Sequence, residues 1–234
     1  MEFDDADYLN PAPGRRAFRS QIADEILAIL AASAKEYAQN GESETDLRDA
    51  PEYLLCVDLA RGLTKTFNSL RYHLENRASS FEEKAATMVN TSLAMGKKLA
   101  RFDLVLLDRK TQRPRYVIEV KRGARIIGDA RRLMRLAALE HGRPRWKHGF
   151  LVTVMRRSER EIAALVEKLK LEISDLSTDS TMELPAGCSI DVNAKHEAIG
   201  APNPAHPETL VYAVVFQLSL KTTKPPDPID DSGE

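Results

Sequence analysis

The stretch RFDLVLLDRKTQRPRYVIEVKR, residues 101–122, limits what this chain can fold into more than any other part of it. Two apolar runs flank a polar turn, which predicts the two strands of a buried hairpin. The second run nevertheless carries Glu119 and Lys121 in its interior, and the first carries Asp103 near its start. Buried charges are costly unless another group balances them, so the three side chains require a partner.

The hairpin geometry brings these charges together. Side chains alternate along a strand, so Glu119 and Lys121 share one face with Val117. A turn symmetric about Thr111 places Asp103 directly opposite Glu119, with Cβ atoms roughly 4.5 to 5.5 Å apart. Two carboxylates at that distance repel each other. A divalent cation balances them most directly, because Mg²⁺ favours one or two carboxylates together with water and phosphate oxygens.

The ammonium group of Lys121 can reach the same pocket, where it would hold an attacking water or stabilise charge on a phosphate. The alternative is an edge strand on which Glu119 and Lys121 face water and Lys121 protects the edge. Residues 116–120 are too apolar on both faces to favour that alternative. The symmetric turn also sets Asp108 opposite Pro114, and Asp108 is predicted to start the turn rather than to bind metal.

The rest of the chain supplies helices and further strands. Residues 1–19 are predicted to be irregular, and apolar residues at helical spacing predict a helix behind a Ser20 N-cap. Pro51 suits the first turn of a second helix. Ser158 and Glu161 form a capping-box pattern that opens a later helix.

The predicted elements have the order helix, strand, strand, strand, helix, strand, helix, strands. Besides the hairpin, strands are predicted at LRYHLEN, HGFLVTVM, CSIDVNAKHEA and ETLVYAVVFQLSL, and further helices at PEYLLCVDLARGLTKTF, ARIIGDARRLMRLAALEH and SEREIAALVEKLKLEI. The stretch SSFEEKAATMVNTSLAMGKK fits either a helical piece or a long excursion. This order predicts an α/β fold, a mixed central β-sheet with helices on both faces. A single domain is expected over residues 20–221, followed by a disordered tail over residues 222–234.

Charge is distributed unevenly along the chain. The net charge is −1, but residues 101–160 hold 17 Lys or Arg against 6 Asp or Glu, a local net charge of +11. This predicts a polyanionic partner at one face, the alternative being arginine-rich helices that merely solvate the surface. No secretory signal or membrane-spanning run is visible, and the separated Cys56 and Cys188 indicate reduced thiols. A soluble, cytoplasmic protein is expected.

Asp103 followed by Glu119-Val120-Lys121 on the next strand resembles the signature of the PD-(D/E)XK nuclease superfamily. The predicted order of elements over about residues 51–155 is similar to that family's restriction-endonuclease-like core, with an extra helix before it and extra strands after it. The resemblance implies a metal-dependent phosphodiesterase. Asp103, Glu119 and the backbone carbonyl of Val120 would then be the metal ligands, and Lys121 would be the catalytic lysine.

Further site residues are less closely specified. Phe102 stands where the motif has proline, a position that varies in the family. A glutamate on the first core helix often joins the metal site in this family, and Glu52 is the match; the alternative is a favourable interaction with the helix dipole. Glu75 could also reach the site, although a charge facing solvent is the favoured interpretation. Asp129 is predicted to be a first-turn helix carboxylate.

Basic residues follow the motif strand and are predicted to contact a phosphate backbone. They are Arg122, Arg125, Arg131, Arg132 and Arg135. The alternative is a solvated helix face. Tyr116 and Trp146 could stack on bases, but core packing is the favoured interpretation.

The predicted function is a metal-dependent nuclease that hydrolyses phosphodiester bonds in DNA, with Mg²⁺ as cofactor and Mn²⁺ as a substitute. A role in phage defence or mobile-element processing rests on the family analogy alone. Two helices and a basic surface also suit a homodimer. The alternative function is a catalytically inactive nuclease-fold protein that acts as a nucleic-acid- or partner-binding module. RNA and duplex, single-stranded or branched DNA all stay open as substrates.

Overall fold

Six strands form one mixed sheet in the structure, a computed structural model that describes residues 13–40, 47–77, 101–139, 148–182, 184–200, 202 and 207–222. They are β1 (Leu70–Arg77), β2 (Arg101–Asp108), β3 (Pro114–Arg122), β4 (His148–Ser158), β5 (Cys188–Ala198) and β6 (Thr209–Thr222). Their order in the sheet is β1-β2-β3-β4-β6-β5. β3 and β4 run parallel, and the other neighbouring pairs run antiparallel.

Helices of the described chain cover both faces of this sheet. They are α1 (Pro13–Asn40), α2 (Glu52–Thr66), α3 (Ile127–Leu139) and α4 (Glu159–Asp175). α1 and α2 pack on one face, and α3 and α4 pack on the other. The predicted α/β fold with a mixed central sheet between helices is confirmed. Across the described ranges, no helix is both long enough and apolar enough to cross a membrane.

Strand β3 is buried on both faces because it serves two cores. Ile118 and Val120 pack on the side of α1 and α2, whereas Val117 packs on the side of α3 and α4. All three side chains have no exposed surface. β3 lies between β2 and β4 in the sheet, so the edge-strand alternative for Glu119 and Lys121 is excluded.

The hairpin of β2 and β3 has the predicted register except near its turn. Leu104 pairs with Ile118, as a symmetric turn requires. The register then shifts, so that Pro114 pairs with Leu107, and the predicted pairing of Pro114 with Asp108 is wrong.

The side chain of Asp108 explains this shift. Its Oδ1 accepts hydrogen bonds from the backbone N–H groups of Lys110 at 3.0 Å and Thr111 at 2.9 Å. Gln112 then adopts a left-handed φ of 58°, which tightens the turn on one side. Asp108 therefore starts the turn, as predicted, and it also forms an ion pair of 3.1 Å with Arg115.

The first helix begins earlier than predicted. α1 starts at Pro13 and not behind Ser20, so residues 13–19 are helical rather than irregular. Proline is favoured in the first turn of a helix, where its missing N–H has no partner to lose. Pro51, by contrast, occupies the N-cap position of α2, one residue before the predicted first turn.

The remaining helix starts follow from their turns. α3 begins at Ile127 because Gly123, with a φ of 89°, and a turn at Ala124 come between it and β3. The capping box of α4 is confirmed: Ser158 and Glu161 each accept a hydrogen bond from the other's backbone N–H. Several predictions concern residues outside the described ranges, namely the start of the chain before Pro13, the stretch SSFEEKAATMVNTSLAMGKK, Trp146 and the tail from residue 223.

Truncating a core side chain of α2 should distinguish its buried face from an exposed helix face. Leu59 has no exposed surface, so Leu59→Ala should lower the free energy of unfolding by about 2 to 5 kcal/mol, as a cavity-forming change does. Leu171 on α4 is 65% exposed, and Leu171→Ala should change it by less than about 0.5 kcal/mol. Urea denaturation followed by circular dichroism measures both. Equal losses would contradict the placement of α2 against the sheet.

Candidate active site

The predicted motif residues lie at the carboxyl end of β3, where the first turns of α2 and α3 approach the sheet. The chain turns sharply after Arg122, because Gly123 adopts a φ of 89° that favours glycine. This turn is anchored to the neighbouring strand β4. The backbone N–H of Gly123 donates to the carbonyl oxygen of Val154 at 3.0 Å, and the buried hydroxyl of Thr153 donates to the carbonyl oxygen of Gly123 at 2.6 Å.

Asp103 is held against β3 by the backbone. Its Oδ2 accepts a hydrogen bond of 2.9 Å from the N–H of Val120, and the same oxygen lies 3.6 Å from Nζ of Lys121. The regular strand pairing begins at Leu104, one residue later. The carboxylate of Asp103 is therefore fixed beside the motif strand, with the lysine ammonium next to it.

Glu52 enters the site from the first turn of α2. Its Oε1 accepts a hydrogen bond of 3.1 Å from the N–H of Arg122, and its Oε2 lies 3.7 Å from Nζ of Lys121. Lys121 is thus bracketed by Glu52 and Asp103. Burial alone would lower the pKa of Lys121, but Asp103 and the other nearby carboxylates together raise it, so the side chain stays an ammonium at neutral pH.

Glu119 is the most unusual residue of the site because its side chain has no exposed surface. Nη2 of Arg132 lies 2.6 Å from Oε1, yet neither oxygen of Glu119 has a partner at hydrogen-bonding geometry among the described residues. The contact is therefore an ion pair by distance alone. Burial raises the pKa of Glu119 to about 9, the charge of Asp103 adds to this rise, and Arg132 opposes it.

Arg132, predicted to contact a phosphate backbone, and Asp129, predicted as a first-turn helix carboxylate and confirmed as one, both lie beside Glu119. Nη2 of Arg132 lies 3.1 Å from Oδ1 of Asp129, and the guanidinium carbon lies 5.5 Å from the ring centroid of Phe102. Burial raises the pKa of Asp129, and Lys121 and Arg132 oppose this rise. The signal in the sequence was the spacing of three residues in the first turns of the helix after the motif strand, which puts both side chains on one face.

Other predicted nucleic-acid contacts lie around the site rather than in it. On α3, Arg131 forms an ion pair of 2.6 Å with Asp179, and Arg135 donates to the carbonyl oxygen of Thr181 at 3.1 Å. The side chains of Arg122 and Arg125 are exposed in the turn between β3 and α3. Their contact with phosphate stays a prediction. An open depression beside the site is lined by Arg48, Asp49, Glu52, Arg122 and Gly123.

Glu75, Tyr116 and Cys56 do not add chemistry to the site. Glu75 is exposed and forms an ion pair of 2.9 Å with Arg101. Tyr116 is buried and stacks on His148, with ring centroids 6.5 Å apart, which agrees with core packing. Burial, followed by the charges of the site carboxylates, raises the pKa of Cys56 to about 12, so this thiol is not a nucleophile at neutral pH.

The residues present fit a divalent cation. We call the following set the charged cluster: Asp103, Glu119, Glu52, Asp129, Lys121 and Arg132. Four carboxylates and two cations give it a net charge of −2 when all are ionised, and in the described part of the chain the two buried oxygens of Glu119 have no donor at hydrogen-bonding geometry. Within the described residues no three His, Cys, Asp or Glu side chains converge as a complete ligand set. A carboxylate pair is nevertheless what Mg²⁺ uses when water and substrate phosphates complete its coordination.

The architecture around the cluster runs from α2 through β1, β2 and β3 to α3 and β4, that is, helix, three strands, helix and strand. Comparison of the chain with protein-family models, with curated proteins and with solved structures returns no match. The functional conclusion therefore depends on the geometry and charge of the cluster itself.

Proposed function

We propose that this protein is a metal-dependent nuclease that hydrolyses phosphodiester bonds in DNA. The observation that carries this proposal is the buried carboxyl group of Glu119, which lies beside Asp103 and 2.6 Å from the Arg132 guanidinium, but has no donor at hydrogen-bonding geometry among the described residues. A lysine ammonium stands 3.6 Å from Asp103 at the same end of the sheet. These groups would supply what metal-assisted hydrolysis of a phosphodiester uses: a cation site, a means of holding water and a fixed positive charge.

A purely structural role does not account for Glu119. A neutral apolar side chain would fill the same interior position without the cost of removing a carboxylate from water. Buried ion pairs are often no more stabilising than apolar residues of similar volume. Glu119 also shares its surroundings with Asp103, whose negative charge makes ionisation still less favourable. Such an arrangement costs stability in the metal-free protein, as expected of a site kept for binding and catalysis.

The residues of the chain have distinct roles in the proposed reaction. Asp103, Glu119 and the backbone carbonyl of Val120 would hold Mg²⁺, with Mn²⁺ as a substitute. When bound, the ion supplies Lewis-acid polarisation of a phosphate oxygen and lowers the pKa of a bound water. Lys121 would position that water or bind a non-bridging phosphate oxygen, and its ammonium lies 3.7 Å from Glu52 and 3.6 Å from Asp103.

Charge outside the cluster supports a nucleic-acid substrate. Residues 101–160 carry a local net charge of +11, while the whole chain carries −1. Arg122 and Arg125 are exposed next to the site, and Arg48 lines the depression that adjoins it. Because these arginines lie beside the carboxylates, a phosphate backbone could follow them to the cluster.

The order of elements and the motif together resemble the PD-(D/E)XK nuclease superfamily, and this resemblance supports hydrolysis over mere binding. Asp103 on β2 contacts β3, the strand of Glu119 and Lys121, and this proximity supports the resemblance. A role in phage defence or mobile-element processing and a homodimer that cuts both strands extend the proposal by family analogy.

The test is cleavage of supercoiled plasmid and of single-stranded DNA with Mg²⁺, with Mn²⁺ or with EDTA. Wild-type protein should nick DNA only with metal, and Asp103→Ala should reduce the rate at least about 100-fold, because losing even an outer-shell partner of a metal ligand costs about 10- to 100-fold. Asp191→Ala is the matched control, because Asp191 pairs with Lys221 on the far edge of the sheet. Nicking in EDTA, or full activity of Asp103→Ala, would contradict the proposal.

Absence of cleavage on every substrate, combined with DNA binding that weakens steeply as salt rises, would instead support the catalytically inactive binding module. Thermal stabilisation by Mn²⁺ separates the two functions further. A competent metal site should gain stability on binding the ion, whereas a binding module without that site should not.

A further inference from the structure

Arg132 is held in the charged cluster by three contacts. Its Nη2 lies 2.6 Å from Oε1 of Glu119 and 3.1 Å from Oδ1 of Asp129. Its guanidinium carbon lies 5.5 Å from the centroid of the Phe102 ring, within the range of a cation–π contact. The side chain is only 26% exposed. This arginine is therefore a fixed part of the site, unlike the exposed Arg122 and Arg125.

The guanidinium of Arg132 places a positive charge beside the carboxyl group of Glu119, which the proposed function assigns to the metal. With Arg132 the charged cluster has a net charge of −2 when fully ionised, and without it −3. A guanidinium and a divalent ion at the two oxygens of Glu119 would stand only a few ångströms apart. Since repulsion between charges is strong in a half-buried site, each weakens the binding of the other to Glu119.

Asp129 acts in the opposite direction. The same Nη2 atom of Arg132 contacts both Asp129 and Glu119, so the carboxylate of Asp129 offsets part of the guanidinium's positive charge near Glu119. Removing Asp129 would leave Arg132 to interact with Glu119 alone. It would also remove one negative charge from the cluster.

We propose that the Arg132 guanidinium occupies a position beside Glu119 where its charge competes with the divalent metal, and that Asp129 limits this competition. The proposal rests on the metal site of the proposed nuclease function. Its consequence is that the protein binds metal weakly until a phosphodiester brings further negative charge to the site. Arg132 is thus a positioning residue that sets metal affinity and not a residue that touches the reacting phosphate.

The experiment is titration of the full-length protein with Mn²⁺ in an isothermal calorimeter, without nucleic acid. Arg132→Gln should bind Mn²⁺ about tenfold more tightly than wild type, because it removes a like charge next to the ion. Removal of the Arg132 charge strengthens the binding of a divalent ion to Glu119 more than the binding of a competing proton, because the ion carries twice the charge. Asp129→Asn should bind Mn²⁺ several-fold more weakly, in the opposite direction.

Two controls separate charge from packing. Arg132→Lys keeps the positive charge and should bind Mn²⁺ much as wild type does. Lys170→Gln, on α4, removes a cation that pairs with Glu167 outside the cluster and should leave the affinity unchanged. Near-ultraviolet circular dichroism of each variant shows whether the tertiary packing persists.

A merely structural role for Arg132 and Asp129 would weaken Mn²⁺ binding in both variants. If wild type binds Mn²⁺ and Arg132→Gln binds it equally well or more weakly, the inference is overturned but the nuclease proposal is not. If Arg132→Gln fails to fold, Asp129→Asn decides, because affinity equal to or above that of wild type would also overturn it. Absence of Mn²⁺ binding in wild type and both variants would overturn the inference together with the metal site.

Discussion

Replacement of Lys121 by alanine is expected to slow metal-dependent DNA cleavage by about 100- to 1,000-fold, the usual cost of losing one fixed charge at a reacting centre. The ammonium of Lys121 lies 3.6 Å from Asp103 and 3.7 Å from Glu52, and under the proposed function it would stabilise charge on a phosphate bound at the metal that Asp103 and Glu119 would hold. The loss should fall on kcat more than on KM, because the charge acts chiefly in the transition state.

The fold should survive this change, since Lys121 is only partly buried and packs at the end of β3 rather than inside a core. Lys168→Ala is the matched control. Lys168 is exposed on α4, outside the charged cluster, and pairs with Glu172 at 3.7 Å. Initial rates of plasmid nicking under saturating Mg²⁺ measure both. A Lys121→Ala protein with wild-type rates would refute the catalytic role of the lysine.

Replacement of Glu119 by glutamine is expected to stabilise the metal-free protein at neutral and alkaline pH. The pKa of Glu119 is about 9 in the folded protein, against an ordinary value of 4.5. The folded state therefore binds a proton that the unfolded state has released, and this weakens the wild-type fold as pH rises from about 4.5 to 9. At pH 7 the difference amounts to about 3 kcal/mol, at 1.36 kcal/mol per unit of pKa.

Glutamine is neutral at every pH, so the advantage of Glu119→Gln should be small at pH 5, larger at pH 7 and largest at pH 9. Urea unfolding in EDTA at these three values measures it. Glu167→Gln, which changes an exposed glutamate of α4, should show no such trend. With Mn²⁺ present the order should reverse, because only wild type retains the carboxylate ligand. A stability difference independent of pH would show that Glu119 is not buried as a protonated acid.

These two predictions describe opposite demands on one site. The positive charges of Lys121 and Arg132 lower the free-energy cost of the buried carboxylates when no metal is bound. The charge of Arg132 would also repel the ion that Glu119 would bind. Stability and metal affinity are therefore set by the same few charges. Substitutions in the charged cluster should rarely improve one property without cost to the other.

The central strands and the three motif residues could be predicted from local pattern alone. The run YVIEV alternates between two apolar faces, and this alternation places Ile118 in one core and Val117 in the other, as the structure confirms. The same rule brought Asp103 next to β3, because hairpin register follows from the turn. It failed near Asp108, whose hydrogen bonds to the turn accompany a register shift of one residue, and the predicted pair of Asp103 with Glu119 lies beyond the regular pairs, which begin at Leu104.

The start of α1 and the residues of the charged cluster were harder to predict from the sequence. Ser20 looked like an N-cap because nothing local distinguishes a serine that begins a helix from one within it. Glu52 was an open alternative, since a first-turn glutamate favours a helix dipole wherever that helix lies. Only the packing of α2 on the sheet brings its carboxylate within 3.7 Å of Lys121.

The sequence by itself determined that strands with buried charges would form the centre of this protein, because strand period and hairpin register depend on neighbouring residues. The tertiary structure alone decided which charged side chains from other parts of the sequence lie next to these buried charges. Arg132 looked like one of several surface arginines, and its contact with Glu119 depends on how the crossover helix α3 packs back onto the sheet. Charges interact through space and not along the chain, so the balance of this site became visible only once the helices were in place.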